Sequence, residues 1–93
     1  MGHWIYILRC CDDSLYTGYT TDPIRRLRVH QQGKGAKYTR SRLPVEMVYQ
    51  EEMPNKSCAL QREAAIKKLS REEKLKLIDK GNPLKAVSPD TTT

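Results

Sequence analysis

Arg26 and His30 lie four residues apart in a segment whose pattern predicts a helix, so their side chains are expected on one helix face. A guanidinium is permanently charged and can bond two phosphate oxygens at once. Arg26 is therefore suited to clamp a phosphate and to stabilise the charge that grows on it during displacement. The imidazole of His30 could orient a water or shuttle a proton, and its alternative role is a simple cap interaction near the helix end. The pair indicates phosphate chemistry.

The segment from residue 23 to residue 45 contains no acidic side chain and is dense in basic ones. Besides Arg26, its cations are Arg25, Arg28, Lys34, Lys37, Arg40 and Arg42, with Tyr38 among them. Clustered cations release condensed counterions, so they raise nucleic-acid affinity more effectively than the net charge of +6 does by itself. Tyr38 could stack on a base. The alternative is a solvated basic face without a ligand.

Tyr6 and Tyr16 lie on neighbouring predicted strands, where pairing would put their rings on one face of a hairpin. A phenol ordinarily titrates near ~10, so a tyrosine acting as a general base would need nearby cations or a metal-bound water. The alternative, which the spacing alone favours, is that both rings fill the core.

The elements that must position these side chains begin with a β-hairpin. Residues 4–9 and 15–20 are rich in aromatic and β-branched side chains, and the segment 12–14 is a polar turn between them. Gly18 interrupts the second strand, which indicates a bulge or a close approach by a ligand backbone. The hairpin would hold Tyr6 on one strand and Tyr16 on the other.

A helix is predicted over residues 23–32, because Asp22 is an N-cap candidate and proline follows it at the first helical position. Ile24 and Leu27 are expected on its buried side, and Gly33 ends it. Residues 34–43 form a basic loop with room for one helical turn over residues 37–40.

A half-buried third strand is predicted over residues 45–50, with Val45, Met47 and Tyr49 alternating with its other side chains. Ser57 is expected to cap a helix that reaches residue 69. The S-x-x-E spacing at residues 70–73 caps a further helix, which ends before residues 81–83.

The whole pattern predicts an α/β (α+β) fold: a small three-stranded antiparallel sheet flanked by helices, in the order β-β-α-β-α-α. A length of 93 residues fits one domain, expected over residues 1–82 and followed by a mobile tail over residues 83–93. Three cysteines give no paired disulfide framework, so reduced thiols are expected. Because the sequence has no long apolar run and no secretion signal, we expect a cytoplasmic protein with no membrane partner.

These segments resemble the GIY-YIG nuclease family. Trp4-Ile5-Tyr6 stands where the family has GIY, and Tyr16-Thr17-Gly18 stands where it has YIG. The stretch over residues 19–30 is similar to the family's turn and arginine helix, and residues 59–63 resemble the helix that carries its metal-binding glutamate. Tryptophan replaces the first glycine of GIY and threonine the isoleucine of YIG. The asparagine that closes the site in some larger members has no counterpart after Glu63.

The resemblance implies a catalytic set made of Tyr6, Tyr16, Arg26, His30 and Glu63. Within this set Tyr16 is implied as the general base and Tyr6 as the residue that positions it. Glu63 is implied as the metal ligand, and a carboxylate without histidine or cysteine support suits Mg²⁺ or Mn²⁺. The alternative for Glu63, which lies on the apolar arc of its helix, is an ordinary ion pair with Lys67.

The function expected from the resemblance is metal-dependent hydrolysis of nucleic-acid phosphodiesters, DNA above all, including structure-specific cleavage in repair or recombination. Because the closing asparagine is missing, one alternative is a nucleic-acid-binding module with little or no cleavage. A third hypothesis is an adaptor whose protein partner supplies specificity, since so small a domain has little room for base readout.

Overall fold

A computed structural model describes residues 2–81 of the chain. Its centre is a three-stranded antiparallel sheet made of β1 (His3–Arg9), β2 (Leu15–Thr20) and β3 (Glu46–Met53), in the order β2-β1-β3. The tight turn between β1 and β2 places Asp13 in the left-handed region at φ 69°, a conformation that aspartate tolerates better than most residues. The predicted hairpin and fold class are confirmed.

The central strand β1 buries side chains on both faces of the sheet, so its apolar residues divide between two cores. Ile5 and Ile7 face one core with Tyr49, whereas Tyr6 and Leu8 face the other. The register of β1 with β3 shifts between Ile7 and Leu8, as in a β-bulge.

The bulge corrects the prediction for the third strand. Val45 and Met47 pack with the core that contains Tyr6, while Tyr49 packs on the opposite face. Simple alternation would have kept all three on one face. The strand also runs to Met53, three residues beyond the predicted end at residue 50.

Two helices cover the face of the sheet that carries Tyr6. α1 (Pro23–Gln31) begins as predicted, because the Asp22 carboxylate accepts the Arg25 backbone N–H at 3.1 Å. Ile24, predicted to be buried, is instead 69% exposed in the first turn, and the helix packs through Leu27 and His30. α2 (Lys37–Arg40) is the single helical turn allowed for in the basic loop, so the order is β-β-α-α-β-α-α.

Two further helices, α3 (Lys56–Lys67) and α4 (Arg71–Gly81), pack on the other core through Ala59, Ile66 and Ile78. The cap of α3 is Asn55, whose side chain accepts the Cys58 backbone N–H at 2.8 Å; Ser57, the predicted cap, lies inside the helix.

The capping box of α4 is confirmed. Ser70 and Glu73 each accept the other's backbone N–H through a side-chain oxygen, at 3.2 and 2.9 Å. The predicted mobile tail over residues 83–93 lies outside the described residues. Within residues 2–81, no helix combines the length and the apolar character that a membrane span requires.

Candidate nuclease site

Tyr6, His30 and Thr39 form a buried chain of hydrogen bonds between β1, α1 and α2. The Tyr6 hydroxyl lies 2.9 Å from His30 Nε2, and His30 Nδ1 lies 2.8 Å from Thr39 Oγ1. The Thr39 hydroxyl in turn lies 3.0 Å from the carbonyl oxygen of Ala36. None of the three side chains is more than 1% exposed, so these bonds are shielded from water.

The direction of each hydrogen bond follows from counting protons. A hydroxyl has one proton to donate, and that of Thr39 goes to the Ala36 carbonyl, which is only an acceptor. Thr39 Oγ1 must therefore accept from His30 Nδ1–H. A neutral imidazole protonated at Nδ1 leaves Nε2 as an acceptor, so the Tyr6 hydroxyl donates to it. These hydrogen bonds thus select the Nδ1–H tautomer of His30.

Burial and the neighbouring charge of Arg26 lower the pKa of His30 from its ordinary 6.5 to about 4. The imidazole is therefore neutral at pH 7, as the hydrogen-bond directions require. Burial is also the main reason why the pKa of Tyr6 is raised, against the lowering effect of its hydrogen bond to Arg26. Tyr6 thus keeps its proton, which suits a positioning role rather than that of a base.

Two glycines make room for these hydrogen-bonded side chains. A Cβ on Gly18 would lie 2.5 Å from the Tyr6 ring, and a Cβ on Gly35 would overlap the His30 imidazole. The close approach at Gly18 is therefore made by the Tyr6 side chain of the protein itself, and β1 pairs with β2 at this point without a bulge; an approach by a ligand backbone stays a prediction. The roles of Gly35 and Thr39 were not predicted, because each depends on a contact with His30 that forms only when α1 and α2 pack together.

Tyr16 lies beside the hydrogen-bonded group of Tyr6, His30 and Thr39 and faces outward from it. Tyr6 pairs with Gly18 and Leu8 with Tyr16, which makes the two tyrosines diagonal neighbours with ring centroids 6.4 Å apart. The Tyr16 ring is also 5.4 Å from that of His30. Tyr16 is only half-buried, and its hydroxyl makes no hydrogen bond within residues 2–81. It is therefore the phenol that a water or a phosphate can reach.

Arg26 borders the same group of side chains from α1. Its Nε donates a long hydrogen bond of 3.4 Å to the Tyr6 hydroxyl, and the side chain is half-buried. Because this bond uses one nitrogen, the two terminal nitrogens of the guanidinium remain for a ligand. The structure thus brings together four of the five predicted catalytic side chains: Tyr6, Tyr16, Arg26 and His30.

Glu63 is the fifth, and it joins the group only through electrostatics. Its side chain is 19% exposed and pairs with Lys67 at 3.2 Å, the arrangement given above as the alternative. Its charge nevertheless contributes, as the smallest of several causes, to the raised pKa of Tyr6. Leu60 and Ala64, expected beside it on an apolar arc, are exposed.

The single carboxylate of Glu63 limits the kind of metal site that could form here. Within residues 2–81 no three His, Cys, Asp or Glu side chains gather closely enough to hold an ion between them. A magnesium-like ion, however, retains several waters and takes one or two protein carboxylates plus oxygens from a substrate phosphate. Glu63 can supply one such carboxylate if its ion pair with Lys67 breaks.

The cations of residues 23–45 divide into two kinds. Those that are exposed and make no ion pair within the described part of the chain are Arg25, Arg28, Lys34, Lys37 and Arg40. Arg42 differs, because its Nε binds Asp12 at 3.2 Å and its guanidinium lies over the Tyr38 ring. The first group is available to a polyanion, whereas Arg42 is already occupied.

The chain is similar to a known family of catalytic domains and to several individual proteins. A family model described as the GIY-YIG catalytic domain matches residues 2–76. A UPF0213 protein from Streptococcus sanguinis is 59% identical over 75 residues, which cover 81% of this chain and 86% of that protein. One from Natronomonas pharaonis is 54% identical over 76 residues, covering 82% of this chain and 89% of the relative.

Two solved structures are also similar. The solution NMR structure of a UPF0213 protein from Bacillus halodurans matches with a TM-score of 0.60 at 47% identity, over 100% of both chains. That of a protein from E. faecalis matches with a TM-score of 0.60 at 45% identity, over 86% of this chain and 85% of the other.

Proposed function

The chain belongs to the GIY-YIG family of nuclease-type catalytic domains, and we propose that it is a metal-dependent endonuclease that hydrolyses DNA phosphodiesters. The observation that carries the proposal is the outward-facing Tyr16 hydroxyl above the buried pair of Tyr6 and His30, with the Arg26 guanidinium beside them. Such a site offers a base, a cation for the phosphate and a rigid support on one face of the sheet. Branched or nicked DNA, as in repair or recombination, is the substrate class that we would test first.

In the proposed mechanism the Tyr16 hydroxyl first releases its proton to solvent, and the resulting phenolate orients the attacking water. It takes a proton from that water as the new P–O bond forms and the bond to the leaving oxygen breaks, and the leaving oxygen takes a proton from solvent. Tyr16 suits this role because its hydroxyl has no partner within residues 2–81, whereas the Tyr6 hydroxyl is already engaged as the donor of a hydrogen bond to His30. The buried rings of Tyr6 and His30 pack against the Tyr16 ring and restrict its movement, which fixes the position of its hydroxyl relative to the phosphate.

Arg26 binds the phosphoryl oxygens and stabilises the negative charge that builds on them as the leaving oxygen departs. A bound Mg²⁺ or Mn²⁺, with Glu63 as its protein ligand, would act as a Lewis acid on the same oxygens. The exposed cations of α1, α2 and the loop that joins them hold the nucleic-acid backbone near this point.

The test is a cleavage screen over branched, nicked, duplex and single-stranded DNAs, and matching RNAs, with Mg²⁺ or Mn²⁺. We expect wild type to cut at least one structured DNA and Arg26→Ala to cut none. Arg26→Lys keeps the charge but loses the two-pronged contact, so turnover should fall more than binding does. Equal losses in turnover and binding would make Arg26 a docking contact, and a wild type that binds every substrate but cuts none would refute the nuclease proposal.

A second candidate function is a binding module that retains the fold with little or no cleavage. The ion pair between Glu63 and Lys67 favours it, because that pair occupies the one carboxylate proposed for the metal. Binding in the screen above without cleavage under any metal condition would support it. A stable protein partner recovered with the chain, and able to confer sequence preference on it, would instead support an adaptor.

A further inference from the structure

The short helix α2 presents two consecutive side chains to the site. Thr39 points inward and accepts a hydrogen bond from His30, as described above. Tyr38, one residue earlier, stacks on Tyr16, with ring centroids 5.9 Å apart and planes inclined by 24°. The hydrogen bond between Thr39 and His30 attaches α2 to the buried core. This attachment helps to keep the ring of Tyr38 stacked on that of Tyr16.

Arg42 holds the Tyr38 ring in place. Its Cζ lies 3.9 Å from the centroid of that ring, and its Nη1 donates to the Tyr38 carbonyl oxygen at 2.9 Å. Its Nε donates to Asp12 Oδ2 at 3.2 Å. Asp12 is itself fixed, because its Oδ1 accepts from the Ser14 hydroxyl at 2.6 Å. A continuous series of contacts therefore runs from the β1–β2 turn through Arg42 and Tyr38 to Tyr16.

The orientation of Tyr16 depends on this series. Since the Tyr16 hydroxyl makes no hydrogen bond within residues 2–81, ring contacts must set its orientation. Three rings contact that of Tyr16: the buried rings of Tyr6 and His30, and the ring of Tyr38. Near-parallel aromatic pairs and a guanidinium over a ring are both attractive arrangements, so together they favour one position of the ring.

We propose that Tyr38 and Arg42 are positioning residues that hold the Tyr16 ring for reaction, rather than contacts to nucleic acid. The proposal rests on the proposed function, because it assigns a purpose to Tyr16 orientation. It also revises the sequence-based expectation that both residues bind the polyanion. The charge of Arg42 is already paired with Asp12, in contrast to the unpaired charge of Arg40 two residues earlier.

The test combines ring NMR signals of Tyr16 with kinetics for two matched pairs of variants. Arg42→Lys keeps the charge but loses the planar contact and the fork of donors, and Arg40→Lys makes the same change at an exposed residue. Tyr38→Leu removes the ring, and Tyr38→Phe restores it without the hydroxyl. We expect Arg42→Lys and Tyr38→Leu to change the nuclear Overhauser contacts of the Tyr16 ring with Tyr6 and His30, and Arg40→Lys and Tyr38→Phe to leave those contacts in place.

In the kinetic arm, Arg42→Lys and Tyr38→Leu should lower kcat by about tenfold or more while Kd for DNA stays within about twofold. Unchanged contacts of the Tyr16 ring with Tyr6 and His30 in both variants would overturn the proposal, as would weaker DNA binding with kcat unchanged. If wild type cuts nothing, the proposed function fails. The NMR arm then decides independently whether Tyr38 and Arg42 fix the Tyr16 ring. Thermal unfolding of each variant shows whether it is folded.

Discussion

At the scale of single residues, His30 shows how much its surroundings change a side chain. A lone histidine near a helix end is often a simple cap, but here it is fully buried, with Tyr6 donating to one nitrogen and Thr39 accepting from the other. Protonation would put a second donor against the Tyr6 hydroxyl and a second charge near Arg26. The fold therefore opposes protonation, which is why the pKa of His30 falls to about 4.

Stability should consequently depend on pH in a defined window. The pKa of His30 is about 4 when folded and near 6.5 when unfolded, so between these values the unfolded chain binds the extra proton. The free energy of unfolding should be highest above pH 6.5 and fall by up to about 3 kcal/mol as the pH drops toward 4. Urea denaturation of wild type at intervals of half a pH unit measures this loss.

His30→Gln is the control for the pH prediction, because an amide can accept from Tyr6 and donate to Thr39 without titrating. We expect the variant to be less stable than wild type at pH 7.5 and nearly independent of pH between 6.5 and 4. The same slope in both proteins would show that another group carries the proton linkage.

At the scale of elements, local signals in the sequence were sufficient for the hairpin and for the start of α1. Aromatic and β-branched side chains predicted β1 and β2, and an aspartate before a proline predicted the first turn of α1, because such preferences act between residues close in the chain. The family resemblance supplied the set of candidate site residues. The predictions that failed for Ile24 and for β3 depended on contacts between elements, whereas the cap of α3 failed locally, because Asn55 rather than Ser57 accepts the Cys58 backbone N–H.

The exposure of Ile24 and the bulge in β3 illustrate this limit. A nine-residue helix can present either of two faces to a sheet, and the packing of His30 against Tyr6 selected the face that leaves Ile24 in solvent. The bulge near Met47 lets β3 serve two cores, which no alternation pattern within one strand could reveal. The space that Gly18 leaves for the Tyr6 ring, and Gly35 for the His30 imidazole, likewise exists only in the folded protein.

Strand β2 also carries an uncompensated polar group, which leads to a stability prediction. Thr17, which stands at the isoleucine position of YIG, is 3% exposed, and its Oγ1 has no hydrogen-bond partner within the described residues. Thr17→Val has nearly the same shape and removes the buried hydroxyl. It should raise the free energy of unfolding by about 1 kcal/mol and the thermal midpoint by roughly 4–8 °C.

The matched control is Thr20→Val in the same strand. The Thr20 hydroxyl accepts the Asp22 backbone N–H at 3.1 Å, so this substitution should destabilise the protein. A Thr17→Val protein that melts below wild type would mean that the hydroxyl has a partner, such as an ordered water, that stabilises the fold.

At the scale of the whole molecule, charge is unevenly placed around the sheet. The unpaired cations of α1, α2 and the loop that joins them lie on the side of the sheet that carries Tyr6, whereas β3 carries Glu46, Glu51 and Glu52. These exposed cations are suited to contacts with phosphates, so binding should be mostly electrostatic. This arrangement would turn the candidate site toward a nucleic-acid backbone.

Affinity for DNA should therefore fall steeply between low and physiological salt. Arg28→Gln should weaken binding and reduce the slope of log K against log salt by about one. Lys76→Gln on α4 removes the same charge from the opposite face of the sheet and should leave that slope unchanged. Fluorescence anisotropy over a salt series measures both. Equal slopes in Arg28→Gln and Lys76→Gln would show that net charge, rather than this surface, determines binding.

The central claim, a metal-assisted nuclease site that includes Glu63, is tested most directly by DNA cleavage against Mg²⁺ concentration in Glu63→Gln and Lys67→Gln. Each substitution breaks the same ion pair, at a stability cost of only a few tenths of a kcal/mol, but only Glu63→Gln removes the carboxylate. We predict that wild type and Lys67→Gln cleave in a Mg²⁺-dependent manner, while Glu63→Gln binds DNA and does not cut it. Cleavage by Glu63→Gln at the wild-type rate would contradict the account.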